Sequence, residues 1–349
     1  KSAARCFNVY GHFKRMTDST GIIQFSDKSD PVIESGYTVD DNARALIVAI
    51  GMEEMERERL IKTYTKFLHE AQNPDGTWQN LKVFDKYYTV INSEDSIGRG
   101  VLAASFAASC SITETQKAAK QMLKRVMPKA LQVNSPRAIA YVLLGIVKMI
   151  VSLENINIIP QGKYLAYKLL KHYELNRGTN WHWFEDRLTY CNAVLPHALF
   201  SYYAVCQDEK VLTVAKNTLS FLTDSLFQKG YLNIVGNQGW WIKKSHIPPY
   251  DQQPVDAASV VLACLQAYVV TGEKGYIEMS QMAYDWYWGK NINKLPLYNE
   301  KTQGCHDALV PDGVNLNQGA EAVISFLMAH QVLHDIKTKG QRELLIPAV

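Results

Sequence analysis

The sequence predicts an all-α chain, an (α/α)6 toroid of six inner and six outer helices with its long loops on one face. Helical patterns of two kinds alternate strictly along the 349 residues, and the links between them alternate short and long. The length itself exceeds the ~250–300 residues at which a single hydrophobic core stops growing. An annular core escapes that limit, so the whole span 1–349 reads as one domain.

The first kind of pattern is apolar nearly all round and rich in small residues, at 41–50, 98–109, 137–150, 192–205, 255–270 and 319–333. A helix without a polar face is buried on every side. The second kind is amphipathic, with charges at helical spacing, at 54–72, 114–131, 162–175, 211–227 and 273–288. Such a helix has one face on a core and one in water. Residues 3–16 are available as the sixth outer element. The buried stretches begin near 40, 95, 136, 190, 255 and 319, a loose repeat of helix pairs. An open α-solenoid would show a shorter, more regular repeat, and the closed ring is preferred.

Inner-to-outer links are short (51–53, 110–113, 207–210, 271–272), apart from 152–161. Outer-to-inner links are long: 73–95, 176–190, 228–254 and 291–318. In a closed ring of antiparallel hairpins the long links all emerge on one face, beside the N-termini of the inner helices. Loops beyond ~12–15 residues in a compact domain are usually functional.

Composition narrows the partners. With 47% hydrophobic and 20% charged residues, the chain is neither disordered nor collagen-like nor a polytopic membrane protein. A net charge of +3 without like-charge runs argues against nucleic acid or an anionic membrane as main partner. No apolar run approaches the ~20 residues that span a bilayer. Six scattered cysteines, Cys6, Cys110, Cys191, Cys206, Cys264 and Cys305, lack metal spacing and read as buried, reduced thiols. A reducing, cytoplasmic location is expected, although a start at Lys1 leaves room for a removed leader or an upstream domain.

Aromatic and acidic residues gather on the loop face. The long links hold Trp78, Trp181, Trp183, Trp240 and Trp241, and flat rings among amides and carboxylates suit the faces and hydroxyls of sugars. Carboxylates cluster where the inner helices begin: Asp40 and Asp41, Glu94 and Asp95, Glu185 and Asp186, Asp256, and Glu321. Helix capping accounts for Asp40, Ser93 and one member of each acidic pair. It does not explain why Asn, Gln and Arg recur with them on buried helices alone. Carboxylates at the bottom of an aromatic cleft are what glycosidic cleavage needs, one protonated for the leaving group and one to activate water.

In a six-membered ring the first inner helix faces the fourth and the second faces the fifth. Asp41 is therefore expected opposite Glu185 and Asp186, and Asp95 opposite Asp256. A gap of ~6.5–9.5 Å would imply inversion at the anomeric carbon. The catalytic candidates are Asp41, Asp186, Glu321, Asp95 and Glu185. The sugar-binding candidates are Asp40, Arg44, Trp78, Glu94, Arg99, Trp183, Tyr190, Asn192, His197, Trp240, Trp241, Gln253, Asp256 and Asn317. Arg44, Arg99 and Arg187 orient or neutralise carboxylates. His197, in an apolar stretch, reads first as a core histidine. No HExxH, GxSxG, P-loop or dinucleotide fingerprint occurs, so neither metal nor cofactor is expected.

The segments GYTVDDNARALIVA, NSEDSIGRG, WFEDRLTYCNAVLPHAL, QPVDAAS and NLNQGAEA resemble a bacterial group of six-hairpin, (α/α)6-barrel glycosidase-like domains. The resemblance spans roughly residues 7–334. It implies carbohydrate processing and, because relatives occur beside or fused to glycosyltransferases, a glycosyltransferase partner. Two positions depart from the group: Cys191 stands where Asp is common, and Ala322 where Ser is common. Both bear on specificity or activity. The leading reading is an inverting glycoside hydrolase acting on an oligo- or polysaccharide. Its rivals are a phosphorylase with an anion pocket, for which His246, Lys243 and Lys244 are a faint hint, a sugar epimerase relying on His182, His197 or His306, a polysaccharide lyase, and a non-catalytic glycan-binding module serving a glycosyltransferase.

Overall fold

The six apolar stretches become the spokes of a ring in the computed structural model, which describes residues 8–90, 94–340 and 345–349. They are α2 (Val39–Ile50), α4 (Glu94–Ala107), α6 (Pro136–Leu153), α8 (Val194–Cys206), α10 (Pro254–Thr271) and α12 (Ala320–Lys339). Each packs on the next, and α12 returns to α2, which closes the ring. Their start signals are local. Thr38 Oγ1 accepts the Asp41 amide at 3.0 Å to cap α2, and Pro136 and Pro254 occupy first-turn positions where no amide is lost. Small residues set the spacing. A Cβ on Gly98 would stand 2.8 Å from the Tyr141 Cβ, so α4 and α6 touch backbone to side chain there.

The amphipathic stretches form the outer layer: α3 (Arg57–Ala71), α5 (Thr113–Ala130), α7 (Ile159–Asn176), α9 (Glu209–Leu226) and α11 (Lys274–Tyr284). The sixth outer position holds only the short α1 (Gly11–Arg15), against α12. Phe13 packs on Tyr64 of α3 at 5.9 Å between ring centroids, and the Thr17 hydroxyl meets the Tyr64 hydroxyl at 2.7 Å. The remainder of the expected 3–16 element, below residue 8, lies outside the described residues.

Two expectations are corrected by the packing. The spokes α6 and α10, of 18 residues each, are long and apolar enough to cross a membrane by length and composition. They are apolar all round because they have neighbours all round: both are mostly buried in the ring. Among the five described cysteines none is paired, and Cys206 is only half-buried, at the end of α8.

The long links are stiffened by short strands. Antiparallel β1 (Phe25–Asp27) and β2 (Asp30–Val32) pair Phe25 with Val32, while Tyr37–Thr38, Leu81–Val83 and Lys86–Tyr88 make a three-stranded sheet. At the other end, where the spokes finish, residues 345–349 enter the ring. The Ile346 amide donates to Gln266 Oε1 at 2.8 Å, the Ile346 carbonyl lies 3.1 Å from His197 Nε2, and Tyr141 donates to the Val349 carbonyl at 2.7 Å.

Candidate active site

The N-terminal end of the ring opens into a cleft of about 500 Å³ between α2, α12 and the loops before α10 and α12. Asp40, Asp41, Arg44, Gln253 and Glu321 line it, as expected from the sequence. Asp251, Asp307, Asn80 and Phe25 line it as well and were not among the candidates.

One guanidinium organises the floor. Arg44 Nη2 donates to Asp41 Oδ1 at 2.8 Å and to Glu321 Oε2 at 3.0 Å. Arg44 and Asp41 are buried, whereas the Glu321 side chain is 47% exposed to the cleft. Asp41 also accepts the Thr38 hydroxyl at 2.8 Å. Burial pushes its carboxyl upward, against the pull of Arg44. Arg44 Nη1 is buried without a hydrogen-bond partner, which leaves a donor uncommitted at the cleft floor. Asp40, next in sequence, accepts the Ser96 hydroxyl at 2.7 Å and stands 3.7 Å from Arg99 Nε.

Asp307 is the second distinctive group. It sits in the loop ahead of α12 and accepts the Gly319 amide at 2.7 Å. Burial raises its carboxyl to about 6, with Glu321 and Asp41 adding repulsion. A carboxylic acid that holds its proton up to about pH 6 thus shares a cleft with the Arg44-paired Glu321. Asp256 is pushed to about 7 by burial, but it faces inward and accepts the Cys191 amide at 2.6 Å.

Other candidates are placed elsewhere, and the expected facing of Asp41 on Glu185 and Asp186 is not realised. Asp41 meets Glu321 of the adjacent spoke, not Glu185 or Asp186. Glu185 is bound by Arg137 Nη1 at 2.8 Å, and the same guanidinium holds Asn192 at 2.9 Å and the Tyr190 carbonyl at 2.5 Å. Asp186 points outward, 61% exposed and paired with Arg187. Asp95 accepts the Tyr190 hydroxyl. Glu94 accepts the amides of Asn134 and Ser135 at 2.7 and 2.6 Å and so caps the next spoke. Asn317 accepts the Lys28 amide at 2.9 Å, a loop-to-loop tie. Arg99 lies over the Tyr141 ring at 4.5 Å, with Cys191 Sγ 3.9 Å from its Nη2.

The tryptophan platform is also corrected. Trp78 is buried and donates to the Leu68 carbonyl at 2.9 Å, in contact with α4 where Gly100 leaves room for its ring. Trp183 is fully buried. Trp241 stacks on Phe221 at 5.8 Å, and Trp240 leans on Tyr190 at 6.4 Å. These rings hold loops down because each has a hydrophobic partner of its own. His197 is a core histidine bonded to the tail, its basicity lowered to about 4 by burial. Among the described residues no histidine lines the cleft.

Signals for the missed residues existed. Asp307 lies in the 291–318 link and Asp251 in the 228–254 link, both long enough to be flagged. Phe25 lies between α1 and α2, which is the sixth outer-to-inner link once the ring is closed.

A closed ring of six inner helices, wrapped by outer ones and open at an acidic cleft, is the six-hairpin, glycosidase-like (α/α)6 barrel. Solved structures share it over nearly their whole length. A sugar epimerase from a ruminal bacterium is similar at 13% identity and TM-score 0.73, with 96% of this chain and 97% of that one covered. A D-mannose isomerase is similar at 14% identity and TM-score 0.71, with 93% and 95% covered. An α-1,6-mannanase of Salegentibacter sp., an inactive variant with asparagine at two successive aspartates and mannotriose bound, is similar at 10% identity and TM-score 0.62, with 93% and 96% covered. No family model matches the chain. No curated protein matches it.

Proposed function

We propose that this protein is a carbohydrate-active enzyme, a glycoside hydrolase acting on an oligo- or polysaccharide. The observation that carries the reading is the pairing, in one sugar-sized cleft, of Asp307, held protonated to about 6, with Glu321 and the Asp40–Asp41 pair. Asp307 gives its proton to the leaving oxygen. Glu321, half-exposed and steered by Arg44, works at the anomeric carbon. Asp40–Asp41 is the one pair of successive aspartates in the chain, and it lines the cleft. In the mannanase variant, two successive aspartates are the positions changed.

Asp41 and Glu321 bind the same guanidinium nitrogen, so their nearest oxygens stand no farther apart than those two bonds together. That span is shorter than the ~6.5 Å an inverting pair needs to admit water. An inverting reaction would therefore draw its second carboxyl from Asp40 or Asp307.

The epimerase reading is favoured by the higher TM-scores of the isomerase-type neighbours. It calls for a base that takes a proton from carbon, and the histidines proposed for that work do not line the cleft. A panel of α- and β-linked manno-, gluco- and galacto-oligosaccharides in D2O separates the two. Hydrolysis yields new reducing ends without deuterium on carbon, and the product anomer seen by NMR reports retention or inversion. Intact chains carrying deuterium at a ring carbon would replace hydrolysis by epimerisation.

A further inference from the structure

Trp78, Trp181 and Trp183 are buried and Trp240 and Trp241 pack half-buried on other rings, so the cleft keeps one aromatic side chain among the described residues: Phe25 of β1. Three observations single it out. First, β1 alternates. Ser26 turns inward and accepts the Gln318 amide at 2.8 Å, so Phe25 and Asp27 turn the other way, and Phe25 is 54% exposed while lining the cleft. Second, its backbone is fixed to the catalytic helix. The Phe25 amide donates to Ser35 Oγ at 3.0 Å, and the Gln24 carbonyl accepts the Ala320 amide at 3.0 Å, one residue before Glu321. A ring held this way keeps a set distance from the reacting carboxylates. Third, the walls around it are acidic. Asp40, Asp41, Asp251, Asp307 and Glu321 line the cleft, and Arg44, their one lining arginine or lysine among the described residues, is already shared by two of them. A sugar bearing carboxylate, sulfate or phosphate would meet a lining in which acidic groups outnumber the single arginine.

We propose that Phe25 is the stacking platform of a subsite for an uncharged pyranose at the mouth of the cleft, and thereby a specificity-determining residue. The inference deepens the reading of the cleft as a sugar site and rests on it. An apolar ring laid against the C–H face of a pyranose removes both surfaces from water while the surrounding carboxylates and amides take the hydroxyls. The platform acts on binding, because Phe25 has no group that can exchange a proton.

The test measures affinity and turnover separately, with mannotriose, cellotriose and trigalacturonate as probes by saturation-transfer NMR and titration calorimetry. Wild type is expected to bind at least one of the two neutral trisaccharides and not trigalacturonate. Phe25→Ala is expected to weaken that binding about tenfold, a 1.4 kcal/mol change, raising KM with kcat preserved. Phe25→Trp restores affinity, which a merely structural role would not predict, and an unchanged melting temperature shows that the alanine variant folds. Equal affinity of Phe25→Ala and wild type overturns the platform, as does tight binding of trigalacturonate or of no probe at all. The two readings fail separately. Unaltered binding by Phe25→Ala while Asp307→Asn abolishes turnover removes the platform and leaves the hydrolase. Phe25-dependent binding without any turnover keeps the platform and removes the hydrolase.

Discussion

At the joint between α12 and α2, Asp41 and Glu321 share Arg44 and face a cleft; at the joint between α6 and α8, Glu185 and Asn192 share Arg137 and close over themselves. The residue types are nearly the same. The difference lies in what remains uncommitted. Arg137 is spent on Glu185, Asn192 and the Tyr190 carbonyl, and its ring neighbour Tyr190 covers it at 4.7 Å. Arg44 retains a nitrogen without partner, and Glu321 retains half its surface. A buried network with every group satisfied makes structure, whereas one left incomplete beside a cavity has capacity for a ligand.

The sharpest way to break the contrast is at Asp307. Asp307→Asn removes the proton donor and is expected to lower kcat by about 10²–10⁴, measured as reducing ends released, with the melting temperature little changed. On the opposite joint, Arg137→Met strands Glu185 in a largely buried setting. It is expected to cost about 3 kcal/mol of stability by urea unfolding. Residual activity per folded molecule should survive, because no group at the cleft is touched.

The pH dependence sharpens the same comparison. Asp307 must carry its proton to act as acid, so kcat/KM should fall as pH rises through about 6, and this limb should vanish in Asp307→Asn. Where the C-terminal tail enters the ring the sign is set by His197. The unfolded chain protonates it below ~6.5, the folded chain only below about 4. The unfolded state therefore binds more protons between those values. Its contribution to stability is whole above ~6.5 and is lost as pH falls toward 4. His197→Gln should flatten part of that decline in melting temperature; His330, also lowered to about 4 by burial, accounts for a further part. The smallest effect is expected at Asp186→Asn. An exposed carboxylate paired only with its neighbour Arg187 should leave both turnover and melting temperature within error of wild type.

Hairpin order, ring closure and the gathering of the long links on one face were all legible in the sequence, because each follows from short-range rules. Apolar-all-round helices must be buried, short links force antiparallel neighbours, and long links must then share an end. The first turn of α2 was equally readable, since Asp40, Asp41 and Arg44 fall on one helix at spacings that let the arginine reach back to Asp41.

What the sequence determined by itself was therefore the architecture and the supply of carboxylates at the rim. Tertiary structure decided which of them meet in the cleft. Asp186 and Glu321 look alike in a string of letters, yet one meets solvent and Arg187 while the other meets Arg44 from a neighbouring spoke. Asp307 lies in a loop 266 positions after Asp41, and its raised affinity for a proton comes from burial beside that residue and Glu321. Trp78 and Trp181 went inward because Gly100 and Phe221 made room or contact for them there, and Phe25 was left at the opening. Partnership and burial are properties of three-dimensional neighbours, and chemistry at a carboxyl is governed by both.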